Sequence, residues 1–208
     1  MTTPGDNVST GNVPIIHGSA FEAAFASQAA FRAVMDCMAR PGAIVPLDGV
    51  TAPTPLMPAT AAIVKSLADY DSPVWLDAAF SAAPDAADWI RFHTGAPIVT
   101  DPAKAVFALI GDPAAMPPLT QFAQGTEEYP DRSTTLIVQV TSFTGPAFSL
   151  TGPGIQSTRG IAATPLPADF AYRMADNREL FPRGVDLILT AGTSIAALPR
   201  SVRITEAK

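Results

Sequence analysis

Helical and extended hydrophobic patterns alternate along almost the whole chain, and few architectures other than a sheet with helices packed on it satisfy that order. Residues 19–40 give the longest helical pattern. Ser19 stands at the N-cap position, Phe21, Phe25, Phe31, Val34, Met35 and Met38 fall on one broad apolar side, and Pro41-Gly42 supplies the stop. A short strand over 43–47 follows, then a connection over 51–58 carrying Pro53, Pro55 and Pro58, then a helix over 59–68 where Ile63 and Leu67 repeat at four. Asp69-Tyr70-Asp71-Ser72 turns the chain into the apolar run Pro73-Val74-Trp75-Leu76. The alternation continues with a helix over 86–93, strands over 96–99 and 105–110, and a proline-containing helix over 113–124.

The second half reads differently. Apolar runs over 134–143 and 147–151, joined by Thr144-Gly145-Pro146, predict a hairpin; a helix over 167–177 and strands over 185–189, 195–198 and 202–204 complete the chain. Helices between strands early and hairpins late predict an α/β fold. Its sheet should be mixed and flanked by helices on both faces, a three-layer arrangement rather than a purely parallel doubly wound one. Residues 1–18, small, polar and punctuated by glycine and proline, read as a flexible arm, and 19–208 as a single domain.

Hydrophobic residues make up 48% of the chain and charged residues 15%, so disorder is excluded for most of it. The apolar runs stop well short of the roughly 20 residues a membrane span needs, so the excess must be buried within the fold or against other proteins. A net charge of −6 without a basic run argues against nucleic acid and anionic membrane surfaces, which require a cationic footprint. No basic segment followed by an apolar one opens the sequence, so the expected location is the cytoplasm. The lone Cys37 agrees with a reducing compartment.

The chemistry-bearing residues are sparse. His17, His93 and Cys37 show no metal-ligand spacing, and Cys37 beside Met38 reads as a small buried hydrophobe. Arg91-Phe92-His93-Thr94-Gly95 brings two cations and a hydroxyl to a helix end. That grouping either binds an anion or complements the C-terminal helix dipole. Leu150-Thr151-Gly152-Pro153-Gly154-Ile155, with Arg159 beyond it, is either an anion loop or a tight strand exit, and it matches no known phosphate-loop pattern. Arg183 and Arg200 stand singly at strand edges. The only lysines are Lys65, Lys104 and Lys208, and none is placed as a Schiff-base residue, so no cofactor is expected.

Several blocks in order, 31–42, 67–76, 91–97, 150–155, 181–189 and 197–200, resemble the PhnH family, the H subunits of the bacterial carbon-phosphorus lyase system. The resemblance covers about residues 30–205. It implies a fold similar to pyridoxal-phosphate-dependent transferases without the cofactor site. It also implies membership of a core complex with subunits G, I and J, which helps attach an alkylphosphonate to the ribose of a nucleoside triphosphate and expels adenine. No catalytic residue comes with the resemblance. Two expectations result: an accessory subunit that hides apolar surface against partners or in a homodimer, or a stand-alone enzyme whose Arg91, His93, Arg159 and Arg183 converge on a phosphonate or triphosphate.

Overall fold

The computed structural model describes residues 18–207, so the expected N-terminal arm, Gly18 apart, lies outside the described residues. Helix α1 (Gly18–Ala39) ends where the Arg40 N–H bonds the Asp36 and Cys37 carbonyls and Gly42 adopts a φ of 74°. Only a glycine takes that conformation without strain.

The strands β1 (Val45–Pro46), β2 (Val74–Leu76), β3 (Ile98–Val99), β4 (Phe107–Ile110), β5 (Thr135–Gln139), β8 (Asp186–Ala191) and β9 (Ser194–Leu198) form a 7-stranded sheet in the order β1-β9-β8-β5-β4-β2-β3. β3, β2, β4, β5 and β8 run parallel, whereas β9 is antiparallel to both β8 and β1. The expected mixed sheet is therefore present. Its central strands β4, β5, β8 and β9 are buried on both sides and alternate strictly. Leu109, Ile137 and Ile188 join one core, and Ile110, Leu136, Val138, Leu187 and Leu189 the other. This continuous Val/Leu/Ile content is what burial on two faces demands.

The first face carries α1, α2 (Pro58–Leu67), α3 (Ala78–Ser81) and α4 (Pro84–Thr94). Helix α2 presents Ala59, Thr60, Ala61, Ala62, Ile63 and Val64 to the interior, and small residues let it lie close to the sheet. The second face is covered by α5 (Phe170–Glu179) together with a 3-stranded antiparallel sheet, order β10-β6-β7, made of β6 (Ser142–Thr151), β7 (Arg159–Thr164) and β10 (Arg203–Glu206). Among the described residues no helix is long and apolar enough to cross a membrane.

Three expectations need correction. The runs over 134–143 and 147–151 do not pair. The first contributes β5 to the large sheet and the second belongs to β6, which pairs with β7 and β10. The Thr144-Gly145-Pro146 segment is no turn but an irregularity inside β6, with Gly145 at φ 113°. The expected helix over 113–124 breaks into separate 3₁₀ turns, Pro113–Ala115 and Leu119–Gln121, because Pro117-Pro118 removes successive donors. Finally, the apolar side of α1 is split. Ala30, Val34 and Cys37 face the core and Met38 is half-buried, but Phe25, Phe31 and Met35 are each about half exposed. The Phe21 side chain lies outside the described residues.

Candidate functional site

Helix α4 begins with Pro84 in its first turn and Asp85 complementing the dipole, and stops at Gly95, whose φ of 72° and N–H bond to the Arg91 carbonyl form a left-handed cap. The stop leaves Arg91, Phe92 and His93 exposed on the last turn. Arg91 Nη1 donates to Asp88 Oδ1 at 3.0 Å across one turn. The His93 ring lies 4.3 Å from Trp89 and edge-on to Phe92 at 5.1 Å. Its imidazole is held below the ordinary range, first by desolvation among these neighbours and then by the positive charge of Lys65. The Thr94 hydroxyl donates to the Ile90 carbonyl and accepts from the Ala96 N–H, so the helix end consumes it. Beside this end stands Tyr70, 75% exposed, while Phe92 is 84% exposed. The blocks over 67–76 and 91–97 therefore meet in one aromatic corner.

Arg159 is elsewhere. Its Nη1 donates to the carbonyls of Arg40 at 3.2 Å and Pro41 at 3.1 Å, closing the end of α1. Gly154 of the glycine-rich loop packs on that same corner, where an added Cβ would come within 2.2 Å of the Ala39 carbonyl oxygen. A side chain there is excluded by backbone, so the glycine serves close approach. Gly42 N–H bonds the Ala197 carbonyl of β9, which fixes this corner at the β9–β1 edge of the large sheet. Helix α4 feeds β3, the opposite edge. Arg183 is half-buried after α5, and its guanidinium makes no hydrogen bond or ion pair among the described residues. Arg91 and His93 thus share one corner, whereas Arg159 and Arg183 do not join them. The four-residue convergence required of a stand-alone anion site is not met.

Among the described residues the arginine most heavily engaged is Arg200, a lone strand-edge cation in the sequence. Its Nε bonds both Asp186 carboxylate oxygens at 3.2 Å, its Nη2 reaches Asp186 and Ser133 Oγ, and its Nη1 reaches the Pro130 and Pro182 carbonyls. Both side chains of the pair are 13% exposed. The blocks over 181–189 and 197–200 meet here. Nothing in the spacing reveals it, because the pair is brought together by the β8–β9 hairpin register.

Two concavities bear on a ligand site. The chain runs from β2 to β3 and then back past β2 to β4, so the carboxyl ends of β2 and β4 form a topological switch point, where ligands commonly bind in open α/β sheets. A crevice of about 510 Å³ opens there beside Trp75, Asp112 and Pro117. Asp77, buried at its base, has no free oxygen. Oδ1 accepts from the Phe80 N–H at 3.0 Å, and Oδ2 from those of Gly111 at 2.7 Å and Asp112 at 2.8 Å. It is a clamp between strand ends, and no cation lines the crevice to neutralise a phosphonate. A second groove, about 310 Å³, lies between α5 and the 119–121 turn. Its arginine, Arg173, is committed to Asp169 at 2.8 Å and the Met116 carbonyl at 2.7 Å. That hydrogen bond is the first reason the Asp169 carboxyl lies below its usual range. Neither concavity pairs a nucleophile with a base.

Cys37 is buried, with its Sγ 3.8 Å from the Ala43 carbonyl and 3.7 Å from that of Ile195. Burial, and then the Asp36 charge, push the thiol up to about 11 against partial relief from Arg40. It is a packing residue at neutral pH.

Against this geometry, the family described as Bacterial phosphonate metabolism protein (PhnH) matches residues 19–205. A protein of Rhizobium meliloti (strain 1021) named Alpha-D-ribose 1-methylphosphonate 5-triphosphate synthase subunit PhnH is 43% identical over 198 residues, which is 94% of this chain and 98% of that protein. A Stutzerimonas stutzeri protein named Putative C-P lyase subunit protein HtxG is 36% identical over 81 residues, 38% of this chain and 42% of its own.

Proposed function

This chain belongs to the PhnH family of bacterial phosphonate metabolism proteins, and from that premise we propose that it is a subunit of an α-D-ribose 1-methylphosphonate 5-triphosphate synthase in the carbon-phosphorus lyase system. In that reaction a phosphonate oxygen forms a bond to C1′ of a nucleoside triphosphate while the C1′–N9 bond breaks and adenine leaves. The observation that carries the reading is the 43% identity along nearly the full length of both chains to a protein bearing that name.

The geometry favours an assisting role. Of the expected anion ligands, Arg91 and His93 stand near one edge of the sheet, Arg159 near the other and Arg183 before the interior strand β8, and the cations that sit in well-built positions hold backbone carbonyls or carboxylates. The aromatic corner, by contrast, is exposed in the manner of an interface anchor, with Phe92 and Tyr70 projecting beside His93. We accordingly assign the chain subunits G, I and J as partners, with a second copy of itself as a further one, a location in the cytoplasm, and a single domain over 19–208. The proposed likeness to pyridoxal-phosphate-dependent transferases is supported by the mostly parallel sheet between two covering layers.

The test is co-expression with the G, I and J subunits followed by assay with added L subunit, ATP and methylphosphonate. The purified chain alone should release no adenine, and it should co-purify stoichiometrically with the other three. Adenine release by the isolated chain, or failure to associate, overturns the reading.

A further inference from the structure

The groove of about 310 Å³ between α5 and the 119–121 turn is set apart by what it offers a visitor. Its arginine and asparagine are spent inside the fold. Arg173 gives Nε to Asp169 and Nη1 to the Met116 carbonyl, and Asn177 Nδ2 donates to the Val185 carbonyl. Its acceptors are not spent. Gln124 Nε2 donates to the carbonyls of Leu119 at 2.7 Å and Phe122 at 2.8 Å, so a flipped amide would set oxygen against oxygen and the orientation is fixed. Gln124 Oε1 is left buried without a hydrogen-bond partner, the one such side-chain atom among the described residues. An orphaned buried acceptor is costly, and it points to a donor from outside the chain.

Asp176 is the second free acceptor. It is exposed, lines the same groove, and makes no hydrogen bond or ion pair among the described residues. It also stands in the last turn of α5, where the negative end of the helix dipole disfavours a carboxylate. Arg178, the basic residue of that turn, is taken up by the Ser201 carbonyl and the Phe181 ring rather than by Asp176. A local rule broken without compensation inside the chain marks a place where an outside group supplies it. Tyr172, 68% exposed, adds an aromatic face, and Leu119 and Leu180 an apolar lining.

We propose that this groove is a socket for an arginine side chain of a different subunit, its stem against Leu119 and Leu180 and its guanidinium shared between Asp176, Gln124 Oε1 and the face of Tyr172. The inference rests on the subunit reading above and adds a docking surface to it, in the opposite layer from the aromatic corner. Charge selects the occupant. A phosphonate or triphosphate would meet the Asp176 carboxylate, and Arg173, the one cation among the lining residues, is already neutralised by Asp169. A lysine would serve Asp176 as a point charge, whereas a guanidinium carries its donors in a plane that reaches several acceptors at once and stacks on a ring. Buried as it is in the free chain, Oε1 is reached as the exposed Thr120 and Tyr172 side chains that share the groove give way, a rotamer change common at interfaces.

Calorimetric titration of the purified chain into the assembly of the remaining subunits tests this. Asp176→Arg places like charge in the socket and should weaken association by about tenfold or more, and Tyr172→Ala, which removes only the aromatic face, by a smaller factor. Both side chains are exposed, so the melting temperature of the isolated chain should stay nearly unchanged, and the second variant serves if the first fails to fold. Benzoylphenylalanine in place of Tyr172 should cross-link, on illumination of the complex, to a segment of a different subunit that carries an arginine. Replacing that arginine by alanine should weaken binding as Asp176→Asn does, with little further loss when the two changes are combined. Wild-type affinity in Asp176→Arg, a cross-link to a second copy of this chain, or a cross-linked segment without an arginine overturns the socket and leaves the subunit reading standing. A wild-type chain that never joins the assembly overturns both.

Discussion

Two arginines in blocks that mark the family illustrate opposite uses of the same side chain. Arg200 is surrounded by Asp186, Ser133 and the carbonyls of Pro130 and Pro182, and sits where the β8–β9 hairpin meets the loop before β8. Arg91 has a single exposed partner one turn away and stands among projecting aromatic rings. The first has nothing left to offer a ligand, and the second has little to lose from the fold. Sequence blocks that look alike in carrying an arginine at one end thus divide into clamps that hold elements together and surfaces that face outward. The Asp77 and Arg159 contacts belong with the clamps.

The contrast breaks most sharply at Arg200. Arg200→Met removes one partner of a nearly buried ion pair and leaves the Asp186 carboxylate uncompensated, which costs about 3 kcal/mol or more. In a domain of this size that lowers the melting temperature by roughly 6–12 °C. Differential scanning calorimetry should show it, and Arg200→Met combined with Asp186→Leu should recover part of the loss. An unchanged melting temperature in the single variant would remove Arg200 from the clamps.

Arg159→Ala comes next. It deletes two charge-assisted bonds to the Arg40 and Pro41 carbonyls at a partly exposed site, an expected loss of about 1–2 kcal/mol measured by urea denaturation. Adenine-releasing activity of the assembled complex should follow stability alone. A kinetic defect in a fully folded, fully assembled complex would instead return Arg159 to the ligand-binding residues.

Phe92→Ala lies on the other side of the comparison. With its ring 84% exposed, truncation should change the stability of the isolated chain by no more than about 0.5 kcal/mol. Association with partner subunits should weaken tenfold or more if the ring is an anchor, an effect read by titrating the chain into the remaining complex. Equal affinity of Phe92→Ala and wild type would leave the corner without a docking role.

How legible this was in the sequence depends on whether the deciding contact is local. Helix α1, its stop at Pro41-Gly42, the strands around Trp75 and Ile137, and the burial of Cys37 follow from periodicity and turn chemistry, which neighbours along the chain determine. The departure of β6 into a second sheet, the short helix α3 and the existence of β7 do not, because pairing depends on what lies beside each strand in space. The same holds for the site. Arg91 and His93 fall together because one helical turn carries both. The Arg200–Asp186 pair and the Arg159 contact with residues 40–41 join positions far apart in sequence, and arginine spacing alone carried no sign of either. The half-exposed Phe31 and Met35 were hidden by an apolar arc wider than the stripe the core uses.

The finest distinction between the clamps and the exposed corner is electrostatic and concerns His93. Because desolvation and Lys65 depress its folded-state pKa below the ordinary value near 6.5, the folded chain binds the proton less readily than the unfolded chain does. Above the unfolded value both states are neutral and the contribution to stability is whole. As pH falls below it the unfolded state protonates first, and stability declines until pH has passed through the folded value. His93→Gln should therefore flatten a small part of the loss of stability on acidification from pH 7 to 5, and Lys65→Met should shift the imidazole titration upward. Proton NMR titration of the His93 ring, assigned against His17 by substitution, reads the second effect directly. A ring that titrates at the ordinary value, unmoved by Lys65→Met, would show that solvent screens the corner completely, and the corner would then differ from the clamps in exposure alone.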